Sequence, residues 1–314
     1  MTLDDLSAAV VAFSLLLYVM LDGTDLGVGI ILPWFDDDDD RRRLVQSILP
    51  VWDANETWIV LTAGALLALF PAAYAQIFNA VYVPLFLMLF CLFARALALE
   101  YRGQTSSRAK RTLDVIFIIA SLLTGFFQGC IAGLLVSGLP EGEAFGWLSW
   151  YPLLSGFGMV AIYGLLGCCW VRWRVQDRAG ERATLLAWLF LILALVLFVA
   201  IVLSLPDLWL HALVTWPGKL LMAIVVVCWF SLLWSLTDSR PLLPLLLALT
   251  LMLSVAMMIM TGLYPWLIPD KLSLQDAAAS PHSQQFLLTG IAIVMPLTLA
   301  YNSWAFWVFR GRVK

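Results

Sequence analysis

The sequence predicts an all-α polytopic membrane protein with nine transmembrane helices, and three observations carry that prediction. First, 62% of the 314 residues are hydrophobic and only 12% are charged, with a mean hydropathy of +0.93. Soluble domains run about 45–50% apolar and about 25% charged, so too few polar groups remain here to cover a water-soluble core. Second, the apolar residues fall into runs of spanning length, about 20 residues each. Third, Lys and Arg collect on every second connection, as cytoplasmic loops do. A soluble enzyme and a disordered chain are excluded. So is a nucleic-acid binder, which needs a basic face for phosphates, since the net charge is -3.

The spans follow in order: Leu6–Leu32, Ile48–Leu69, Ile77–Leu99, Leu113–Leu135, Trp150–Val171, Ala183–Leu205, Pro217–Leu236, Pro241–Leu263 and Phe286–Phe309. The first begins after MTLDDLSAAV, which lacks a basic n-region and a cleavage site, so it is expected to stay as a span. A short Pro-Ala-Ala-Tyr-Ala link makes spans two and three a tight hairpin. The first connection carries Arg41, Arg42 and Arg43, preceded by Asp36–Asp40, which read as caps on the next helix. The third carries Arg102, Arg108, Lys110 and Arg111; the fifth Arg172, Arg174, Arg178 and Arg182; the seventh Arg240; the C-terminus Arg310, Arg312 and Lys314. Only Arg95, Lys219 and Lys271 of the 18 basic residues lie elsewhere. The connection holding Glu141 and Glu143 is acidic. This alternation places the N-terminus outside and the C-terminus in the cytoplasm of a bacterial inner membrane. Trp34, Trp170 and Trp173 fall at inner ends, and Trp147, Trp150, Trp209, Trp216 and Trp266 at outer ends, as an aromatic belt requires.

Ionisable groups inside spans cost about 2.5–3.5 kcal/mol each even on the lenient insertion scale, so they are functional candidates. Span one contains Asp22-Gly23-Thr24-Asp25-Leu26-Gly27-Val28-Gly29, with Asp22 and Asp25 on one helix face. Span two opens with Trp52-Asp53-Ala54-Asn55-Glu56-Thr57-Trp58, where Asp53 and Glu56 repeat that spacing. The stripe Trp52, Glu56, Val60, Gly64 and Leu67 suits helix–helix contact. Neither cluster has a lysine on a nearby span. The four acids read as a proton path or a cation site, against helix capping and inter-helix hydrogen bonds. Arg95 either snorkels to the interface or pairs with an intramembrane acid. Gln128 and Asn302 read as inter-helix hydrogen-bonding groups, Lys219 as a snorkelling side chain, and Met252, Met257, Met258 and Met260 as packing.

Cys91, Cys130, Cys168, Cys169 and Cys228 sit in apolar runs without a C-x-x-C pair, so they read as small buried hydrophobes and no metal site is expected. His211 and His282 both fall in outer connections. A bis-His heme within the bilayer is therefore not expected of this chain. Nucleotide-binding glycine motifs are missing too.

The two clusters resemble subunit II of the cytochrome bd-type quinol oxidases, including the cyanide-insensitive branch. Asp22–Gly29 is similar to the family's D-G-x-D-x-G-V-G stretch. Pro50-Val51-Trp52-Asp53-Ala54-Asn55-Glu56-Thr57-Trp58 is similar to its P-x-W-D-x-N-x-x-W, and Ala63–Ala75 to its following G-A-L-F-A-x-x-P-x-x-Y-A. Arg95–Arg102 resembles the basic inner end of the family's third span. The close match covers about residues 20–105.

The resemblance implies two four-helix bundles (1–136, with the motifs, and 150–263) plus an extra ninth helix (286–309). It implies a heterodimer with a subunit I that holds heme b, heme d and the quinol site, and a complex that oxidises quinol and reduces dioxygen to water. It implies that this chain is heme-free, that some members hold a structural quinone, and that Trp52 and Asp53 lie at the subunit interface with Asp53 in a proton path. A share in that path for Glu56, Asp22 and Asp25, and interface or structural roles for Asn55, Trp58, Arg95 and Gly64, are inferences added to it. A small third subunit and membrane lipids are further expected partners. Two rival readings stand beside this one: a cation- or proton-coupled secondary transporter, and a structural assembly subunit.

Overall fold

The computed structural model describes residues 2–139, 145–175, 178–309 and 311, with Ser107 by its backbone alone. The acidic connection at Glu141 and Glu143, and Arg310, Arg312 and Lys314, lie outside the described residues. The chain folds as helices α1 (Leu3–Ile31), α2 (Asp38–Ile48), α3 (Trp52–Leu69), α4 (Pro71–Arg102), α5 (Ser107–Val136), α6 (Trp150–Arg174), α7 (Arg178–Ser204), α8 (Pro206–Val214), α9 (Trp216–Ser235), α10 (Leu243–Leu263), α11 (Leu274–Ala277) and α12 (Pro281–Val308). A small antiparallel hairpin, β1 (Trp266–Ile268) and β2 (Leu272–Ser273), lies between α10 and α11. Prolines open α4, α8, α9, α10 and α12 within their first two positions. There the missing N–H would have had no helical partner, and the fixed φ already suits the helix.

Eight of these helices are long and apolar enough to cross a membrane among the described residues: α1, α4, α5, α6, α7, α9, α10 and α12. Nine were expected. The element outside this set is the expected second span, Ile48–Leu69. Leu49–Val51 divide it, with Pro50 at the break, so α2 ends at Ile48 and α3 retains 18 residues that open on Asp53 and Glu56. Helix α2 is an added element beside the membrane spans. Its first turn is acidic, and the Asp37 side chain accepts the Asp39 N–H at 3.0 Å, the capping expected of the Asp36–Asp40 run.

Arg42 donates to Asp39 on the next turn of α2 at 2.5 and 3.1 Å and holds that exposed carboxyl below the usual carboxylate range. A depressed folded value means that the pair's contribution is present above 3.8 and lost as pH falls through the folded value. Arg42→Ala is expected to move the Asp39 titration back towards 3.8, read from carboxyl NMR shifts; an unmoved titration would rule out this pairing.

The main core is continuous across the two halves. It joins Leu26, Val28, Ile30 and Ile31 of α1 with Leu32 just after it, Leu44 and Ile48 of α2, Phe117 of α5, Tyr163, Leu166 and Val171 of α6, and apolar residues of α7, α9 and α10. Helix α1 packs on α3, α5 and α6, α5 on α4 and α6, and α12 on α3. Every residue from Asp22 to Leu32 is buried, so the glycine-rich motif is enclosed on all sides. At Gly27 a Cβ would overlap the Tyr163 carbonyl and the Gly167 backbone, and at Gly167 it would overlap Gly27. The two backbones cross in direct contact, which only residues without side chains permit. Outward-facing Phe86, Phe90 and Phe93 on α4 and Leu185, Val196 and Leu203 on α7 are what a hydrocarbon solvent requires.

Candidate functional site: a buried arginine–carboxylate network beside an open cleft

The polar residues of α1, α3 and α4 meet at one place. Arg95 on α4 is completely buried. Its Nη1 donates to Asp22 Oδ1 at 2.7 Å, and its Nη2 donates to Glu56 Oε1. One guanidinium thus bridges carboxylates from two other helices, a use of its planar fork that a point-charge ammonium cannot copy. Pairing, one of the two expectations for Arg95, is what the structure shows. Asp25, one turn beyond Asp22, accepts from Asn55 Nδ2 at 2.8 Å, a second tie between α1 and α3. Asp22, Asp25, Asn55 and Arg95 are buried, while Glu56 keeps a quarter of its side chain exposed.

A second buried cluster lies one turn towards the N-terminus of α1. Tyr163 on α6 donates to Gln128 Oε1 at 2.5 Å, and Gln128 Nε2 donates to Tyr18 at 2.6 Å. Gln128 therefore links α5 to α1 and α6, the inter-helix role expected of it. Tyr18 and Tyr163 were not singled out in the sequence. Tyrosine is an ordinary buried aromatic, and only Tyr18's i, i+4 spacing from Asp22 would have marked it.

The remaining candidates are placed as follows. Trp58 is fully buried and packs edge-on against Phe13. Trp52 is partly buried against the main core. Gly64 does not pack on another helix of this chain: a Cβ there meets nothing within 4 Å, and Val60 and Leu67 beside it are 70% and 50% exposed. The Val60, Gly64 and Leu67 part of the stripe expected to make a helix contact is an uncovered face among the described residues, while Trp52 packs on the core. Glu56 departs from it because 4-residue steps drift around a 3.6-residue helix.

Asp53 stands apart from the arginine network. It is exposed at the start of α3 and lines a cleft of about 440 Å³ against α12, with Pro50, Thr57, Thr298, Tyr301 and Asn302. The expected common vestibule for all four acids is thus divided: three belong to the Arg95 and Asn55 network, and Asp53 faces the cleft. Asn302 was expected to hydrogen-bond another helix. It is 5% exposed, and both polar atoms of its amide lack a partner among the described residues.

His211 and His282 are both exposed, on α8 and near the start of α12. Among the described residues there is no group of three or more His, Cys, Asp or Glu arranged to hold a metal ion. The centre of α1, α5 and α6 is filled by Tyr18, Gln128 and Tyr163. The hydroxyls of Tyr18 and Tyr163 face the Gln128 amide in that packed centre, not an open pocket of the kind in which a porphyrin iron is ligated.

Comparison with known proteins agrees with the motifs. The family model of cytochrome bd terminal oxidase subunit II matches residues 3–309. The chain is 25% identical over 350 residues to the cytochrome bd-I ubiquinol oxidase subunit 2 of Escherichia coli K12, covering 94% of this chain and 91% of that one. It is 25% identical over 338 residues to the cytochrome bd ubiquinol oxidase subunit 2 of Bacillus subtilis 168, covering 100% and 97%. The fold is shared with a chain of the bd oxidase from Geobacillus thermodenitrificans at a TM-score of 0.79 and 14% identity, over 98% of this chain and 99% of that one. With a family match over nearly its whole length, and two motifs in its first three helices that fold into one polar site, the chain belongs to the cytochrome bd terminal oxidase subunit II family, as a membrane-embedded component of a respiratory quinol oxidase.

Proposed function

We propose that this chain is the heme-free half of a heterodimer and delivers cytoplasmic protons to the oxygen-reducing heme of its partner. In this reading subunit I holds heme b, heme d and the quinol site, and the complex couples quinol oxidation to reduction of dioxygen to water. The nine spans form two four-helix bundles and an extra helix, with the N-terminus outside and the C-terminus in the cytoplasm. The exposed histidines and the tyrosine-filled centre support the assignment of the hemes to the partner.

One observation carries the proton assignment. Asp53 is the candidate acid outside the arginine network, and it opens on a cleft of about 440 Å³. A proton carrier must exchange its proton with water and cycle between charge states, which an exposed carboxyl at a cleft mouth can do. Glu56 lies one helical turn further along α3 and is the next acceptor, with a quarter of its side chain still accessible. Asp22 and Arg95 hold that glutamate in place, and Asp25 follows one turn along α1. Two of these carboxyl groups share one guanidinium and the third, Asp25, is held by Asn55, so the cluster has more acids than cations.

The test is Asp53→Asn in the assembled complex. Quinol-driven oxygen consumption is expected to fall by about 100-fold, the lower end for a lost general acid–base step, with heme content per complex unchanged. Native turnover in that variant would remove Asp53 from the path. Loss of heme content instead would favour a purely structural subunit.

A further inference from the structure

We infer that Tyr18 on α1 is a positioning residue: its hydroxyl donates to the Asp22 carboxylate and, through Arg95, holds Glu56 in place for proton transfer. The inference rests on the proposed proton role of Glu56, and it ties that site to α6 in the second half of the chain.

Donors and acceptors can be counted along the buried row. Gln128 has one amide oxygen and one amide nitrogen. The oxygen accepts from Tyr163 at 2.5 Å, and the nitrogen donates to the Tyr18 oxygen at 2.6 Å. The Tyr18 proton is therefore not spent on Gln128. Tyr18 is 1% exposed, so that proton must find its acceptor inside the protein. The hydroxyl reaches the Asp22 carboxyl one turn along α1. There Oδ1 is taken by Arg95 at 2.7 Å, while Oδ2 is sealed from solvent and has no other partner among the described residues. The spare donor and the spare acceptor thus belong to neighbouring side chains. Reversing the Gln128 amide would leave Asp22 Oδ2 bare and strand the Tyr163 proton as well.

All donors in the row then point the same way, from Tyr163 to Gln128 to Tyr18 to Asp22, and each bond polarises the next towards the carboxylate. Asp22 accepts on both oxygens, from Tyr18 and from Arg95, so its carboxylate plane is fixed from two sides. Arg95 spends its other amino group on Glu56. The orientation of Asp22 therefore sets the direction from which Glu56 is held. The far end of the row is rigid too. The Tyr163 ring lies between Gly23 and Gly125, where a Cβ would come within 2.6 and 2.9 Å of it. The glycine that follows Asp22 in the motif makes room for the ring that starts the row.

Two variants that each lose one hydroxyl and keep the ring separate a positioning role from a packing role. In the assembled oxidase, Tyr18→Phe is expected to lower oxygen-reduction kcat about tenfold, the size of one lost hydrogen bond to a charged group, at unchanged quinol KM and heme content. It also shifts the infrared carboxylate band of Asp22, which is identified with isotope-labelled aspartate and by its loss in Asp22→Asn. Tyr163→Phe is expected to leave that band in place and kcat within about twofold of native, because Tyr163 donates to a neutral amide away from Asp22. An unmoved Asp22 band in Tyr18→Phe, or equal effects of the two variants on kcat, overturns the inference. If Tyr18→Phe does not assemble, a ring-fluorinated tyrosine in place of Tyr18 serves instead. This stronger donor of nearly the same size is expected to move the band, and an unmoved band again overturns the inference. Asp53→Asn measured in parallel separates the two proposals. A slow Asp53→Asn with a native Tyr18→Phe rejects only the role of Tyr18, and a native Asp53→Asn with a slow Tyr18→Phe rejects Asp53 as the entry and leaves Tyr18 in place.

Discussion

Arg95→Leu is expected to remove most of this chain from the membrane. The guanidinium is fully buried between Asp22 and Glu56, so its loss leaves two carboxylates in a low-dielectric interior without their cation. Breaking a buried pair from one side costs about 3–5 kcal/mol, against a total stability of about 5–15 kcal/mol for a folded domain. The argument forecasts an order among variants. Arg95→Lys should recover part of the loss, because an ammonium cannot serve two helices in the same fork geometry. Adding Asp22→Asn and Glu56→Gln to Arg95→Leu should recover more, because neutral amides no longer need a cation. Protein level in membranes and the temperature of unfolding in detergent measure the series. An Arg95→Leu chain as stable as the native one would show that water or a lipid headgroup already satisfies these acids. The distinction bears on the proposed function, since a stabilising role for Asp22 and Arg95 narrows the proposed proton path to the remaining acids.

The second large effect is expected at Gly27. A methyl group there meets the Tyr163 carbonyl and the Gly167 backbone, neither of which moves without parting α1 from α6. Overpacking a tight site costs about 1–3 kcal/mol, and a backbone contact belongs at the upper end because there is no flexible side chain to give way. Gly27→Ala should therefore lower the unfolding temperature markedly, and Gly27→Val should prevent folding. Gly64→Ala is the internal comparison. It meets nothing within 4 Å in this chain, and alanine is the better helix former by about 1 kcal/mol. In the isolated chain it should be neutral or stabilising. Equal behaviour of Gly27→Ala and Gly64→Ala would mean that α1 and α6 are not in backbone contact.

Both forecasts come from long-range pairings that the sequence announced only by residue type. Arg95 lies 73 residues from Asp22 and 39 from Glu56, and sequence reasoning left its partner open between the interface and an acid. Helical periodicity fixes which residues share a face of one helix, but not which helix that face meets. The i, i+3 spacing put Asp22 with Asp25 correctly. The same spacing on α3 did not keep Asp53 and Glu56 in one environment, because α3 starts at the break after Pro50 and its first turn looks out towards α12. Asn302 looked like an inter-helix hydrogen-bonding residue, yet its buried amide has no partner among the described residues.

Composition, run length and the alternation of basic connections were enough to determine that this chain lives in a membrane as a set of helices, because hydrocarbon admits few other solutions for a backbone. Its two motifs were enough to point to the family. The tertiary structure decided which acids are paired and which one faces the cleft. Ionic pairing depends on distances of a few ångströms between helices, and these are set by side-chain volume at crossings such as Gly27 on Gly167, which no local pattern encodes.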